Sequence, residues 1–132
     1  MQSEKPWGME KKWSAMERIN GKLLSINAGH RTSLKYHLRK TEAFYVLTGK
    51  VNFHYADEAW LHFKGVPMRC ETLYPGDAMN IQSHCVYRIN ALEDSTVIEI
   101  GDHGTTEDDA VRIEDDYGRE TSSAILPNKF KE

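Results

Sequence analysis

The sequence predicts an all-β fold, a single antiparallel barrel or jelly roll, and three observations carry that expectation. Apolar and polar residues alternate in runs of about five, the runs recur roughly every ten residues, and Gly, Pro and Asn turns divide them. Helical spacing at i, i+3 and i+4 is hard to find anywhere before the C-terminal tail.

Taken in order, Lys22-Leu23-Leu24-Ser25-Ile26 reads as a strand, and Asn20-Gly21 before it, with Ile19 on the other side, as a hairpin signal. Side chains two apart on a strand share a face, so Lys35 and His37 point the same way. Ala43 to Leu47 is an apolar, aromatic and β-branched run closed by Thr48-Gly49-Lys50. Val51, Phe53 and Tyr55 then alternate with Asn52 and His54, as a half-buried strand should. Asp57 to Pro67 reads as an irregular excursion, and Met68 to Leu73 as a return to extended chain. Tyr74-Pro75-Gly76-Asp77 is a turn, because Pro fixes φ and Gly accepts positive φ. Cys85 to Ile89 and Thr96 to Ile100 form a last pair of strands around Glu93-Asp94-Ser95.

With 132 residues the chain suits one domain, with its barrel core expected over about 16–102, an acidic block over 107–119 and a tail over 120–132. Hydrophobic residues at 39% and charged residues at 28% mark a globular chain. No apolar run approaches the roughly 20 residues of a membrane span, and Met1 to Trp13 carries charges where a secretory leader would be apolar, so a cytoplasmic protein is expected. Cys70 and Cys85 lack a second pair nearby and read as ordinary thiols. A formal charge of -3 gives no electrostatic reason for nucleic acid to bind.

The densest chemistry lies between Gly29 and Gly49. Glu42 follows the Lys35/His37 strand after a short turn and can come back to meet it, bringing three ionisable groups to one side of a sheet. Burying such groups unpaired costs several kcal/mol, so a cluster of this kind serves a metal or a ligand, or else is a mutually satisfied polar trio.

The spacing Gly29, five residues, Lys35-x-His37, four residues, Glu42, six residues, Gly49 resembles the first cupin motif, with Lys at the first His position. Lys5-Pro6-Trp7-Gly8, Ser33 to His37, Thr41-Glu42 and the block Glu107 to Arg119 are similar to the isomerase domain of type II mannose-6-phosphate isomerases, often fused behind a mannose-1-phosphate guanylyltransferase. The resemblance runs from Lys5 to Arg119. It implies a cupin of the RmlC-like jelly-roll type with an N-terminal arm and a C-terminal tail, and an aldose–ketose isomerisation in which a divalent metal (zinc, manganese or nickel) polarises the carbonyl while a base moves a proton.

Residue by residue, His37 and Glu42 match two metal ligands. Lys35 stands where the family has Gln, Lys40 where it has Arg, and Tyr87 where it has a ligand His; His84 replaces a turn Gly and would be a third ligand only in a locally different loop. A protonated Lys donates only and a phenol is a poor ligand at neutral pH, so the metal site is expected to be degraded. The resemblance implies that Lys40 and Arg119 hold substrate phosphate as point charge and fork. A metal-free alternative uses Lys35, His37 and Tyr87 as base, acid and electrostatic stabiliser beside Glu42, as in some cupin sugar epimerases. A third reading is a non-catalytic sugar-binding or regulatory module. The expected partners are a small phosphorylated or nucleotide-linked sugar and a second copy of the chain, with neither nucleic acid nor membrane. Trp7 is expected to pack the arm on the barrel, and His30, His54, His62 and His103 to be solvated.

Overall fold

A computed structural model of the chain describes residues 1–102, 109–121 and 128–130. Among these, eleven strands build two antiparallel sheets: β1 (Gln2–Lys5), β2 (Gly8–Ala15), β3 (Asn20–Ile26), β4 (Leu34–His37), β5 (Glu42–Thr48), β6 (Val51–Ala56), β7 (Arg69–Leu73), β8 (Ala78–Ile81), β9 (Val86–Ala91), β10 (Ser95–Gly101) and β11 (Ala110–Glu114). One sheet runs β1-β2-β3-β10-β5-β8 and the other β11-β4-β9-β6-β7. The two-residue period decides which side chains meet between them: Leu24 and Ile26, Phe44 and Val46, Val51 and Phe53, Tyr87 and Ile89 all turn inward into one buried cluster.

A second cluster lies on the other side of the five-stranded sheet. There Leu34, Tyr36, Val86 and Val111 are covered by the one-turn helix α1 (Ala59–His62), which contributes Leu61 and Trp60, and by Phe130. The excursion expected at 57–67 therefore has a packing role. Asp57 starts its helix by accepting the Ala59 amide at 3.0 Å.

The strands at 22–26, 43–47, 51–55, 68–73, 85–89 and 96–100 fall where periodicity puts them, to within a residue or two. Three features differ. The barrel sheet begins well before residue 16, because the expected arm is itself two paired strands, with Gln2 opposite Lys11 and Lys5 opposite Gly8. The hairpin between β2 and β3 turns at Met16–Ile19, where the Met16 amide meets the Ile19 carbonyl at 3.0 Å. Asn20-Gly21 lies inside β3 instead: Gly21 is needed there because the Trp13 indole crosses it, and a Cβ would stand 2.4 Å from that ring. Finally, the middle of the acidic block is strand β11, paired with β4 through Val111 opposite Tyr36 and Arg112 opposite Lys35. Glu107, Asp108 and His103 lie outside the described residues. No helix among the described residues is long and apolar enough to cross a membrane.

Candidate functional site

One end of the space between the sheets is polar. Lys35 and His37 on β4 face inward, the turn at 38–41 reverses the chain, and Glu42 enters β5 opposite Ile81. That turn is built by Asp109, whose carboxylate accepts the backbone amides of Arg39 at 3.0 Å and Lys40 at 2.9 Å. His37 and Glu42 are both buried, 8% and 4% exposed.

Their side chains meet. His37 Nε2 lies 3.1 Å from Glu42 Oε1, and the Tyr87 hydroxyl donates to the same oxygen at 2.6 Å while standing 3.5 Å from the imidazole. Glu42 Oε2 faces Lys40 Nζ at 3.2 Å, and that ammonium also reaches Glu99 Oε2 at 3.5 Å. On its far edge the imidazole presents Nδ1 to Asp109 Oδ2 at 3.5 Å. His37 Nδ1 and Glu42 Oε2 are buried and make no close hydrogen bond. Opposite them, Lys22 binds Glu10 at 2.9 Å.

These groups enclose a cavity of about 40 Å³ whose remaining lining includes Trp7, Leu24 and Ile89. That is small beside the roughly 300 Å³ and more of ordinary ligand pockets, and admits a few heavy atoms.

The local field sorts the titrating groups. Burial pushes Glu42 up, but the His37 hydrogen bond and charge, the Lys40 ammonium and the Tyr87 hydroxyl together hold it below the usual carboxylate range. Glu99 lacks such a set: burial and the Glu42 charge raise it to about 7 against the partial opposition of Lys40, Lys22 and Lys35. Burial lowers Lys35, with Glu99 and Glu42 opposing, and burial with the Glu42 charge raises the Tyr87 phenol well above its ordinary value. Glu10 is held low because Lys22 outweighs its burial.

No protein-family model and no curated protein sequence matches the chain. Solved structures do. KdgF from Halomonas sp. matches with a TM-score of 0.64 at 22% identity, over 79% of this chain and 86% of that one. The capsular polysaccharide assembling protein CapF from Staphylococcus aureus matches at 0.70 and 15%, over 87% and 34%. A variant of oxalate decarboxylase from Bacillus subtilis matches at 0.69 and 15%, over 83% and 29%. The fold is a cupin barrel. The chain spans most of KdgF but about a third of the other two, and at such identities the likeness speaks for fold alone.

The metal implied by the cupin motif does not fit the residues here. The position of a third imidazole or amide donor is taken by Lys35, and the two carboxylate oxygens of Glu42 already face Tyr87 and Lys40. Among the described residues no three His, Cys, Asp or Glu side chains converge as a metal-holding group.

The structure brings Lys35, His37, Glu42 and Tyr87 together at one cavity, and departs from expectation at three positions. Lys40 does not wait for phosphate: it is buried between Glu42 and Glu99, its aliphatic stem seated against Gly101, where a Cβ would stand 2.2 Å from Lys40 Cε. Arg119 is engaged by Asp115, with 2.7 Å between Nη2 and Oδ1, and is not part of the cavity lining. His84 does not approach His37 as a ligand; it takes φ 66° in the turn before β9, donates its amide to the His37 carbonyl, and aims its ring at Glu58, 3.7 Å away. Positive φ is the natural consequence of standing in place of a turn glycine.

Trp7 packs in the core and lines the cavity as well, so its packing role and contact with the site coexist. Among the other histidines, His54 is in β6 and half-buried, His62 faces Glu58 at 3.6 Å, and His30 stacks on Tyr117. Glu10, Lys22, Glu99 and Asp109 were not singled out from the sequence. Glu99 and Lys22 carry a usable signal, since each shares strand parity with buried apolar neighbours, Val97 and Leu24. Asp109 has none; only the pairing of β11 with β4 brings it to the turn.

Proposed function

We propose that this cupin moves a proton between adjacent carbons of a small hydroxy-carbonyl compound of the sugar class, an aldose–ketose interconversion carried out by its own side chains. The observation that supports this most is the convergence of His37 Nε2 and the Tyr87 hydroxyl on Glu42 Oε1 at the wall of a cavity large enough for a reacting end. In this reading His37 takes the proton from carbon, Glu42 stabilises the resulting imidazolium and orients it, and Tyr87 serves the neighbouring oxygen. When protonated, Lys35 supplies positive charge for the enolate oxygen.

Mannose 6-phosphate is the first substrate to try, on the strength of the motif resemblance, followed by two- and three-carbon hydroxyaldehydes that suit the cavity. Deuterium incorporation next to the carbonyl, followed by NMR in heavy water, should proceed in the presence of chelator and fall by about 100-fold or more in His37→Ala. Absence of exchange with every compound and every added metal would sink the reading, and saturable binding without exchange would favour the non-catalytic module.

A homodimer belongs to the same proposal. On the outer face of the six-stranded sheet, Leu23, Ile98 and Tyr45 stand side by side across three strands, with Leu47 and Ile100 exposed next to them. The outward positions of β3, β5 and β10 carry no charge, so a second copy can approach without repulsion. Sedimentation at micromolar concentration should give a dimer that Tyr45→Lys converts to monomer; a wild-type monomer would overturn this.

A further inference from the structure

The cations of the cavity are not equivalent. Lys22 is held by Glu10 at 2.9 Å, and Lys40 lies between Glu42 and Glu99. Lys35 has neither arrangement: among the described residues it makes no ion pair and no hydrogen bond, and Nζ stands over the face of the Tyr87 ring, 5.8 Å from its centroid. It enters the cavity from β4 between Tyr87, its partner across the strand pair, and the apolar wall of Trp7, Leu24 and Ile89. An amine that is crowded out of water, has another cation nearby and lacks a bound carboxylate spends more of its time as a free base. A lone pair inside a cavity meant for carbonyl compounds is a nucleophile.

We propose that Lys35 captures its carbonyl ligand covalently, as an imine, and that the ligands of this site are therefore small aldehydes or ketones with a free carbonyl. The lone pair of Nζ adds to the carbonyl carbon while the C=O π pair moves to oxygen, which takes up a proton; nitrogen then loses one. The carbinolamine hydroxyl leaves as water with a proton from a neighbouring acid, and nitrogen closes the C=N bond. The net change is amine plus carbonyl giving imine plus water, with no redox partner. Glu99 lines the same cavity as Lys35 and is the candidate acid, since burial and the Glu42 charge raise it to about 7. Once formed, the protonated imine draws electrons from the adjacent carbon more strongly than the carbonyl did, in front of the same His37–Glu42–Tyr87 group. The use of the adduct rests on the proton-transfer reading above; its formation does not.

The test is reductive trapping on the whole chain. Incubation with glycolaldehyde and cyanoborohydride near pH 7, stopped at low conversion and mapped by mass spectrometry, compares Lys35 with the other nine of the ten lysines. Lys35 should be modified at least about tenfold faster than the exposed Lys11 and Lys64. Lys35→Arg, which keeps the charge and cannot form the imine, should lose the fast adduct while its circular dichroism stays that of the parent. Labelling of Lys35 no faster than of Lys11 and Lys64 overturns the proposal, and that comparison within the parent chain needs no variant to fold. Trapping at Lys35 without any deuterium exchange would keep the imine and reject the isomerase; exchange without trapping would do the reverse.

Discussion

The same strands build two unlike halves of one interior. On β5 the inward residues run Glu42, Phe44, Val46; on β10, reading back, Glu99 then Val97; on β3, Lys22 then Leu24 and Ile26; on β9, Tyr87 then Ile89 and Ala91. At one end this stacks carboxylates, amines and an imidazole, and at the other it stacks rings and aliphatic chains, including Phe44 against Phe53 at 5.1 Å. The apolar half gains from burial, at about 2 kcal/mol for each large side chain. The polar half loses hydration for every charge it buries and recovers that only through pairing. A ladder of strands thus carries a stability region and a chemical region in register, and the second leans on the first.

The largest effect that should separate the halves is at the apolar end. Phe53→Ala is expected to cost about 4 kcal/mol in urea unfolding, since the ring is fully buried between Phe44 and Tyr87. At the polar end Glu42→Ala leaves His37, Lys40 and Tyr87 without their shared acceptor and should cost about 3 kcal/mol, whereas Glu42→Gln should cost about half as much. If both Glu42 variants unfold like the parent, the charged half is solvated and the comparison fails.

A pH series sharpens it further. Glu99 titrates near 7 in the folded chain against an ordinary 4.5, so between those values the folded state keeps a proton that the unfolded state has released. Stability due to this group is full below pH 4.5, falls as pH rises and is gone above 7, a change on the order of 3 kcal/mol. Glu42 and Glu10 are shifted the other way, so their contribution is lost on the acid side of 4.5. Urea midpoints at pH 5 and pH 8 should differ in the parent and converge in Glu99→Gln. The smallest effect lies outside the barrel: Arg31 and Asp116 pair at 2.9 Å but are both substantially exposed, and Arg31→Ala should change stability by less than about 1 kcal/mol.

Much of this was legible in the residues. Two-residue alternation located six strands, the Gly29-to-Gly49 spacing brought His37 and Glu42 to one place, and a His in a turn-glycine position took positive φ. What escaped has physical causes. Met9, Trp13 and Ala15 on β2 are outward and exposed, so that strand shows no apolar face to read. Asn20-Gly21 is a turn signal that the Trp13 indole overrides. Lys40 and Arg119 read as phosphate holders because a cation in sequence does not reveal its counter-ion, and in the fold Glu99 and Asp115 pair with them.

The contact of Lys40 with Gly101 joins two positions sixty-one residues apart in sequence, and it sets how the charged end of the interior answers to change at a residue that carries no side chain. A Cβ at 101 would press on the far end of the Lys40 side chain, which is flexible enough to swing aside, so a substitution there is felt in the pairing of that amine with Glu42 and Glu99 before it is felt in the backbone.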